Sequence, residues 1–422
     1  MQHRFDVVTM HPNTLLDEGL LEAITGDYLR AIREIGGNPR PASSAAEQAV
    51  PVVFLLVATG GSEKAVLDWW AEHGGNAPDG TLRLIAHPGN NSLPAALEVL
   101  ARLQQDGTPG RVFYLRDVDD PSGLREIATA VHDHEVRRAL QHARIGVVGA
   151  PSDWLVASMP DAATVTKTWG PTLVPLDLDE VVTGLLAAPE ADVEALADNL
   201  AAGAVEVREP TASDRLDVAR VFLAVERLVA DHRLDALTVR CFDLVVNQRT
   251  TGCFALAQLL DDGIVAGCEG DVVSAVGMLW ARELLGSTPW MANPAQLDPE
   301  TNTLWLAHCT VPRSLVSSYG LRSHFESGLG VGIQGVLPAG PITLLRIGGR
   351  GMDRVWLAEG EILRSGNAEN LCRTQAEIRL TGGGRVTDLL RAPLGNHLVL
   401  SFGHHLERLK SWCSDSSLRV AE

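Results

Sequence analysis

At 422 residues the chain exceeds what one ordinary hydrophobic core organises, and it is expected to divide into two or three domains. Its 45% hydrophobic and 21% charged residues are the balance of a globular protein, and no apolar run nears the roughly 20 residues that span a bilayer, so neither a disordered tail nor a membrane protein is expected. A formal net charge of −18 without basic tracts argues against nucleic acid as a partner, because phosphate binding depends on clustered Lys and Arg.

Charges in the opening residues leave no apolar core for a signal peptide. Cys241, Cys253, Cys268, Cys309, Cys372 and Cys413 form no Cys-x-x-Cys pair and no secreted-type framework. They read as reduced, mostly buried thiols of a cytoplasmic protein. From the N-terminus, short apolar runs then alternate with helical patterns. Val52 to Val57, inside the longest apolar run (Pro51 to Ala58), ends in Thr59-Gly60-Gly61-Ser62 and leads into a helix around Ala65 to Trp70. Leu82 to Ala86 precedes a helix through Ala95 to Leu103, and Val112 to Leu115 precedes one through Ile127 to Leu140. Strand, loop and helix in repetition predict a parallel sheet with helices on both faces. Residues 1–142 are the expected first domain.

A second α/β domain, 143–298, is expected from strands at Ala143 to Gly149, Thr172 to Leu176, Ala236 to Arg240 and Ile264 to Gly267. Between them lie an Ala-rich helical region from Val181 to Val207 and a helix from Leu216 to Asp231, and Val272 to Leu285 follows as a further helix. Beyond Asn302 the helical period fades. Runs at Thr303 to Cys309, Gly330 to Leu337, Ile342 to Ile347, Val355 to Ile362, Ala376 to Leu380 and His397 to Phe402 are separated by Gly, Pro, Asn and Asp. They predict a β-rich, mainly antiparallel, barrel-like domain over 299–422, with a last helix from Leu406 to Trp412. The expected fold is thus α/β: two Rossmann-like parallel-sheet domains followed by a barrel-like C-terminal domain.

Ligands in open α/β sheets bind beyond the carboxyl ends of the strands. Two acidic segments of the second domain fall there: Arg240-Cys241-Phe242 runs into Asp243, and Ala266-Gly267-Cys268 runs into Glu269-Gly270-Asp271. If the backbone stays extended through Gly270, Glu269 and Asp271 point the same way. Asp271 equally fits the N-cap of the following helix. Glu269, in a Gly-rich turn behind an apolar strand, has no routine structural task. On spacing alone Asp243 is a loop carboxylate meeting Arg240 or Arg249.

The β-rich domain adds His308, on the strand face of Leu304 and Leu306, and His397, on that of Val399 and Ser401. One strand histidine is more often a core residue than a ligand. Two of them, with strand-end carboxylates, make a candidate metal set. His324, His404 and His405 are further candidates, expected to face solvent or substrate. Carboxylates and imidazoles without thiolates suit Mn²⁺ or another divalent cation better than structural zinc, and a zinc site at Cys241, Cys253 and Cys268 has no recognised spacing. The glycines from Gly328 to Gly335 precede a strand instead of joining strand to helix, so no dinucleotide loop is indicated. No Gly-x-Ser-x-Gly elbow points to a serine hydrolase.

Arg240-Cys241-Phe242-Asp243-Leu244, Cys268-Glu269-Gly270-Asp271, Leu306-Ala307-His308-Cys309-Thr310, Gly340-Pro341-Ile342-Thr343, and Asn396-His397 with Gly403-His404 resemble segments of the L-fucose and L-arabinose isomerase superfamily, particularly its shorter fucose-isomerase-like members. The resemblance spans Leu237 to Leu409; the first half matches in architecture alone. It implies homo-oligomeric assembly and a Mn²⁺-type ion between the second and third domains. It further implies that Asp243, where the family has a longer Glu, ligates metal and serves as acid or base. By the same resemblance Glu269 and Asp271 supply carboxylates for metal and proton transfer, His397 is the late histidine ligand, and His308 is an additional one. The implied reaction interconverts aldose and ketose forms of a small sugar or sugar derivative through an enediol. An epimerase or lyase acting at the same metal site, or a non-catalytic sugar-binding or regulatory protein on the same fold, are the alternatives.

Overall fold

The computed structural model describes residues 4–12, 17–40, 52–74 and 80–421; Pro51, at the head of the longest apolar run, lies outside them. The chain separates into two compact units, Met1–Val136 and Arg137–Glu422. Among the described residues no helix is long and apolar enough to cross a membrane.

In the first unit β1 (Phe5–Met10), β2 (Gly37–Arg40), β3 (Val53–Val57), β4 (Leu82–Ala86) and β5 (Gly110–Tyr114) form a parallel sheet in the order β2-β1-β3-β4-β5. Successive side chains feed opposite faces. Phe54 and Leu56 pack with Phe5, Val7 and Ile32, whereas Leu55 and Val57 pack with Val8, Val66 and Val99. A strand buried on both faces reads as a continuous apolar run. β1 is also an interior strand, yet its pattern is broken by Asp6, whose buried carboxylate meets Arg40 at 2.6 Å and Asn38 at 2.9 Å on β2.

The second unit opens with β6 (Arg144–Val148), β7 (Thr172–Leu176), β8 (Glu206–Val207), β9 (Ala236–Val239) and β10 (Val265–Cys268). Four of these make a parallel sheet, β10-β9-β6-β7. The expected helical region from Val181 to Val207 is corrected to two helices, Leu178–Ala187 and Glu190–Ala202, with β8 after them. Pro189 is the cause. Proline disfavours helix at the residue before it, and Ala188 is accordingly extended at ψ 129°.

Next come β11 (Trp290–Asp298), β12 (Thr303–His308), β13 (Ser318–Arg322), β14 (Gly332–Val336), β15 (Gly340–Gly348), β16 (Arg354–Gly366), β17 (Thr374–Gly383), β18 (Leu398–Phe402) and β19 (Arg419–Val420). The antiparallel order β15-β18-β11-β12-β17-β16 returns from β16 to β15, which closes a barrel and removes its free edges. β19 adds in parallel to β16, and β14, β13 and β8, in that order, form a small separate sheet. β11 was not legible as a strand because Pro294 interrupts it; the register slips between Pro294 and Gln296.

Candidate metal centre

Strand register brings distant residues together. β11 lies between β12 and β18, with Asn293 opposite Ala307 and Ala292 opposite Leu398. His308 follows Ala307 and His397 precedes Leu398, so the two histidines flank β11 at one level, ring centroids 5.6 Å apart. On the parallel sheet, the N–H of Cys268 donates to Met291 Sδ of β11 at 3.2 Å. The next residue, Glu269, is thereby delivered to the histidines. One ligand atom from each of Glu269, His308 and His397 lies within 4.8 Å of the others, and among the described residues no other such trio of His, Cys, Asp or Glu is found.

The turn after β10 is tight. Asp271 N–H donates to the Cys268 carbonyl at 3.0 Å, and both residues between are left-handed, Glu269 at φ 63° and Gly270 at φ 73°. The backbone is therefore not extended here, which corrects the expectation that Glu269 and Asp271 point the same way. Glu269 turns toward the histidines; Asp271 turns under the helix Val272–Leu285. A non-glycine residue held left-handed costs on the order of 1 kcal/mol or more, so the turn spends stability to aim a carboxylate. Gly270 is required: a Cβ there would press on the Ala150 carbonyl and stand 2.7 Å from Pro151 Cα.

Asp271 is fully buried and caps that helix, accepting from Ser274 N–H at 2.8 Å and Ser274 Oγ at 2.7 Å. Its Oδ2 also accepts from His397 Nδ1 at 2.9 Å and from Arg346 Nη1 at 3.2 Å. Arg346, buried on β15, reaches Ser274 Oγ at 2.6 Å and Ser158 Oγ at 2.5 Å as well. With Nδ1 held by a carboxylate, the His397 ring is fixed and Nε2 faces the trio. That Nε2 is buried without a hydrogen-bond partner, and at 3.7 Å Glu269 Oε1 is too far to accept from it. His308 is oriented likewise, sharing a 2.8 Å hydrogen bond between Nδ1 and the Thr310 hydroxyl. An unpartnered buried nitrogen beside a carboxylate oxygen and a second imidazole fits the donor set of a divalent cation.

Electrostatics separate the two histidines. At His397 burial disfavours the imidazolium, but Asp271 and Glu269 outweigh it and raise the pKa to about 9. At His308 burial, with repulsion from His397, lowers it to about 4. Burial likewise pushes both carboxyls up. It is outweighed at Asp271 by Arg346 and His397, and at Glu269 by His397, Trp154 and His308, so both lie below the usual carboxylate range. A cation taking His397 Nε2 must displace a proton at neutral pH. Divalent-cation uptake is therefore expected to release one proton and to tighten with rising pH until about 9, the value to which His397 is raised, which calorimetry in buffers of different ionisation enthalpy measures.

Trp154 completes the setting of Glu269. Its indole N–H donates to Glu269 Oε2 at 2.6 Å, and Ser152 N–H donates to the Glu269 carbonyl at 2.8 Å. The ring is 50% exposed and meets Phe242 edge-on at 5.0 Å, which in turn meets His324 at 5.5 Å. Trp154→Phe keeps an aromatic ring, though a smaller one, and removes the donor. It is expected to weaken divalent-cation binding about 10- to 100-fold, as loss of a ligand's hydrogen-bond partner does, read by metal titration.

The remaining candidates lie outside the trio. Asp243 sits in the first turn of the helix Cys241–Gln248, side chain 40% exposed, bonded to Arg240 Nε at 3.1 Å. Arg240 also forks onto Asp153 at 3.2 Å. His324 is buried and bonded to Ser327 Oγ at 3.0 Å, which corrects the expectation that it faces solvent. His404 is exposed near Glu359, and His405 bonds the Phe402 carbonyl. Trp154, Arg346 and Thr310 were missed. Arg346 alone gave a signal, a charge inside the apolar run Ile342 to Ile347.

No protein-family model matches the chain. It is 25% identical over 308 residues to proteins named sulfoquinovose isomerase from Priestia aryabhattai and Priestia megaterium, a span covering 70% of this chain and 68% of each relative. A protein of the same name from a Clostridium species is 24% identical over 274 residues, 61% of this chain and 59% of the relative.

Proposed function

We propose that the chain is a divalent-metal-dependent aldose–ketose isomerase of the fucose-isomerase-like type, acting on a small sugar or sugar derivative. The observation that carries this reading is the buried trio of Glu269, His308 and His397 with its unpartnered Nε2, in a chain whose relatives bear a sugar-isomerase name. The proposed ion is Mn²⁺, held by Glu269 Oε1 and the inward nitrogens of the two histidines. When bound, it supplies a Lewis acid that polarises the sugar's carbonyl and stabilises the negative charge that develops as the neighbouring proton leaves.

The chain's own residues then have to move that proton between adjacent carbons. Asp243 is the proposed acid–base carboxylate. It is half-exposed, and it follows Phe242, whose ring touches the Trp154 that bonds Glu269. Asp271 is proposed to act through His397, fixing its ring, instead of touching substrate. The open face of Trp154 offers an apolar surface to sugar C–H groups.

The test is a chelated and Mn²⁺-reconstituted preparation offered a sugar panel in deuterated water, sulfoquinovose first. A ketose product supports the reading. Epimers or cleavage products assign the alternative chemistry, and binding without C–H exchange assigns a sugar-binding protein. In the same assay Asp243→Asn is expected to lower kcat about 100-fold or more with cation affinity unchanged, the usual scale for loss of a positioned acid–base group.

A further inference from the structure

Cysteines from five separate places in the chain gather beside the trio. Cys241 opens the helix Cys241–Gln248 and Cys268 ends β10; their sulfurs are 3.1 Å apart. β9 and β10 are parallel neighbours with Val239 opposite Cys268, so the pair forms where the chain leaves β9. Cys309, the residue after His308, lies near Cys253 and Cys372. Four of the five are buried and Cys372 is half-buried. Cys268 directly precedes Glu269, and the turn that follows has little freedom: Cys268 N–H is held by Met291 Sδ, and Gly270 is wedged against Ala150 and Pro151.

We infer that Cys241 and Cys268 are a redox-sensitive modification site, which a peroxide closes to a disulfide that pulls Glu269 out of register with His308 and His397. One thiolate attacks the peroxide O–O bond, forming a sulfenic acid and releasing hydroxide, which takes up the thiol proton as water. The second sulfur then displaces water from the sulfenic acid. Two thiols and one hydrogen peroxide thus yield one disulfide and two waters. The sulfurs must close to about 2.05 Å. That movement of about 1 Å passes into the residue adjoining Glu269, and a misplacement of this size at a functional group is costly.

The inference rests on the proposed divalent-cation site and not on the sugar reaction, and the disulfide linkage is read whether or not the cation binds. The full purified chain is treated with hydrogen peroxide, quenched with catalase, alkylated under denaturing conditions and mapped by mass spectrometry. The expected result is a linked peptide joining Cys241 to Cys268, two hydrogens lighter than its parts and undone by dithiothreitol. Mn²⁺ affinity is expected to fall about tenfold or more in step with linkage and to recover on reduction. Cys241→Ser is expected to abolish both effects; should that variant fail to fold, the wild-type map alone decides. Oxidation that leaves Cys241 and Cys268 both alkylated, or linkage with unchanged Mn²⁺ affinity, overturns the inference.

Discussion

Asp271→Asn is expected to lower the unfolding free energy by about 3–5 kcal/mol, the range for removing one partner of a buried ion pair. The magnitude follows from what is left behind. Arg346 is buried with its charge, and its contacts beyond Asp271 are neutral oxygens of Ser274, Ser158 and Leu394. Urea denaturation near neutral pH measures the loss. Arg346→Met alone is expected to be strongly destabilising as well, whereas the double variant recovers part of the loss because neither charge is stranded. Because asparagine caps a helix about as well as aspartate, the single variant probes the charge, and equal destabilisation of the single and double variants would show that the pairing with Arg346 is not the source of the loss. The pH dependence has a definite sign. The folded carboxyl lies below its unfolded value of about 4, so its contribution is complete above that value and fades only as pH falls toward the depressed folded one.

Glu269→Gln is expected to reduce divalent-cation affinity and turnover by more than about 100-fold, beyond the effect of losing an outer hydrogen-bond partner. The amide keeps the size of the side chain and can still accept from Trp154 at Oε2's place, so the change falls on charge alone. It also withdraws one of the two carboxylates that raise His397, leaving the proton easier to remove. Metal titration by electron paramagnetic resonance reads the affinity, and urea denaturation should show a much smaller change than for Asp271→Asn. Undiminished Mn²⁺ binding in Glu269→Gln would remove the carboxylate from the proposed centre.

The two variants also mark what was legible in the sequence. Glu269, His308 and His397 stood out because each is a polar side chain at the end of an apolar strand, where burial needs a reason. Strands such as β4 and β7 were legible for a related cause: the mostly apolar stretches Leu82 to Ala86 and Thr172 to Leu176 stop where the strands do. What failed was local in two cases and tertiary in the others. Nothing in the word Glu-Gly-Asp announces a left-handed glutamate, so the directions of Glu269 and Asp271 could not be read from alternation. The Ala-rich stretch after Val181 hid Pro189 behind strong helix formers. Trp154 and Arg346 acquire their meaning from Glu269 and Asp271, 115 and 75 residues away in the chain, and no periodicity encodes such pairings.

Closure of the barrel around β11 has a consequence for how such a chain can vary in length. The two imidazoles belong to strands separated by most of the C-terminal sequence, yet each is indexed to the same neighbour, one on either side. Insertions or deletions in the segments between them leave that indexing untouched, so lineages can lengthen or trim the intervening loops freely. A slip of β11 by one position is another matter: it would offset β11 against both flanking strands at once and invert the faces that β11 itself presents.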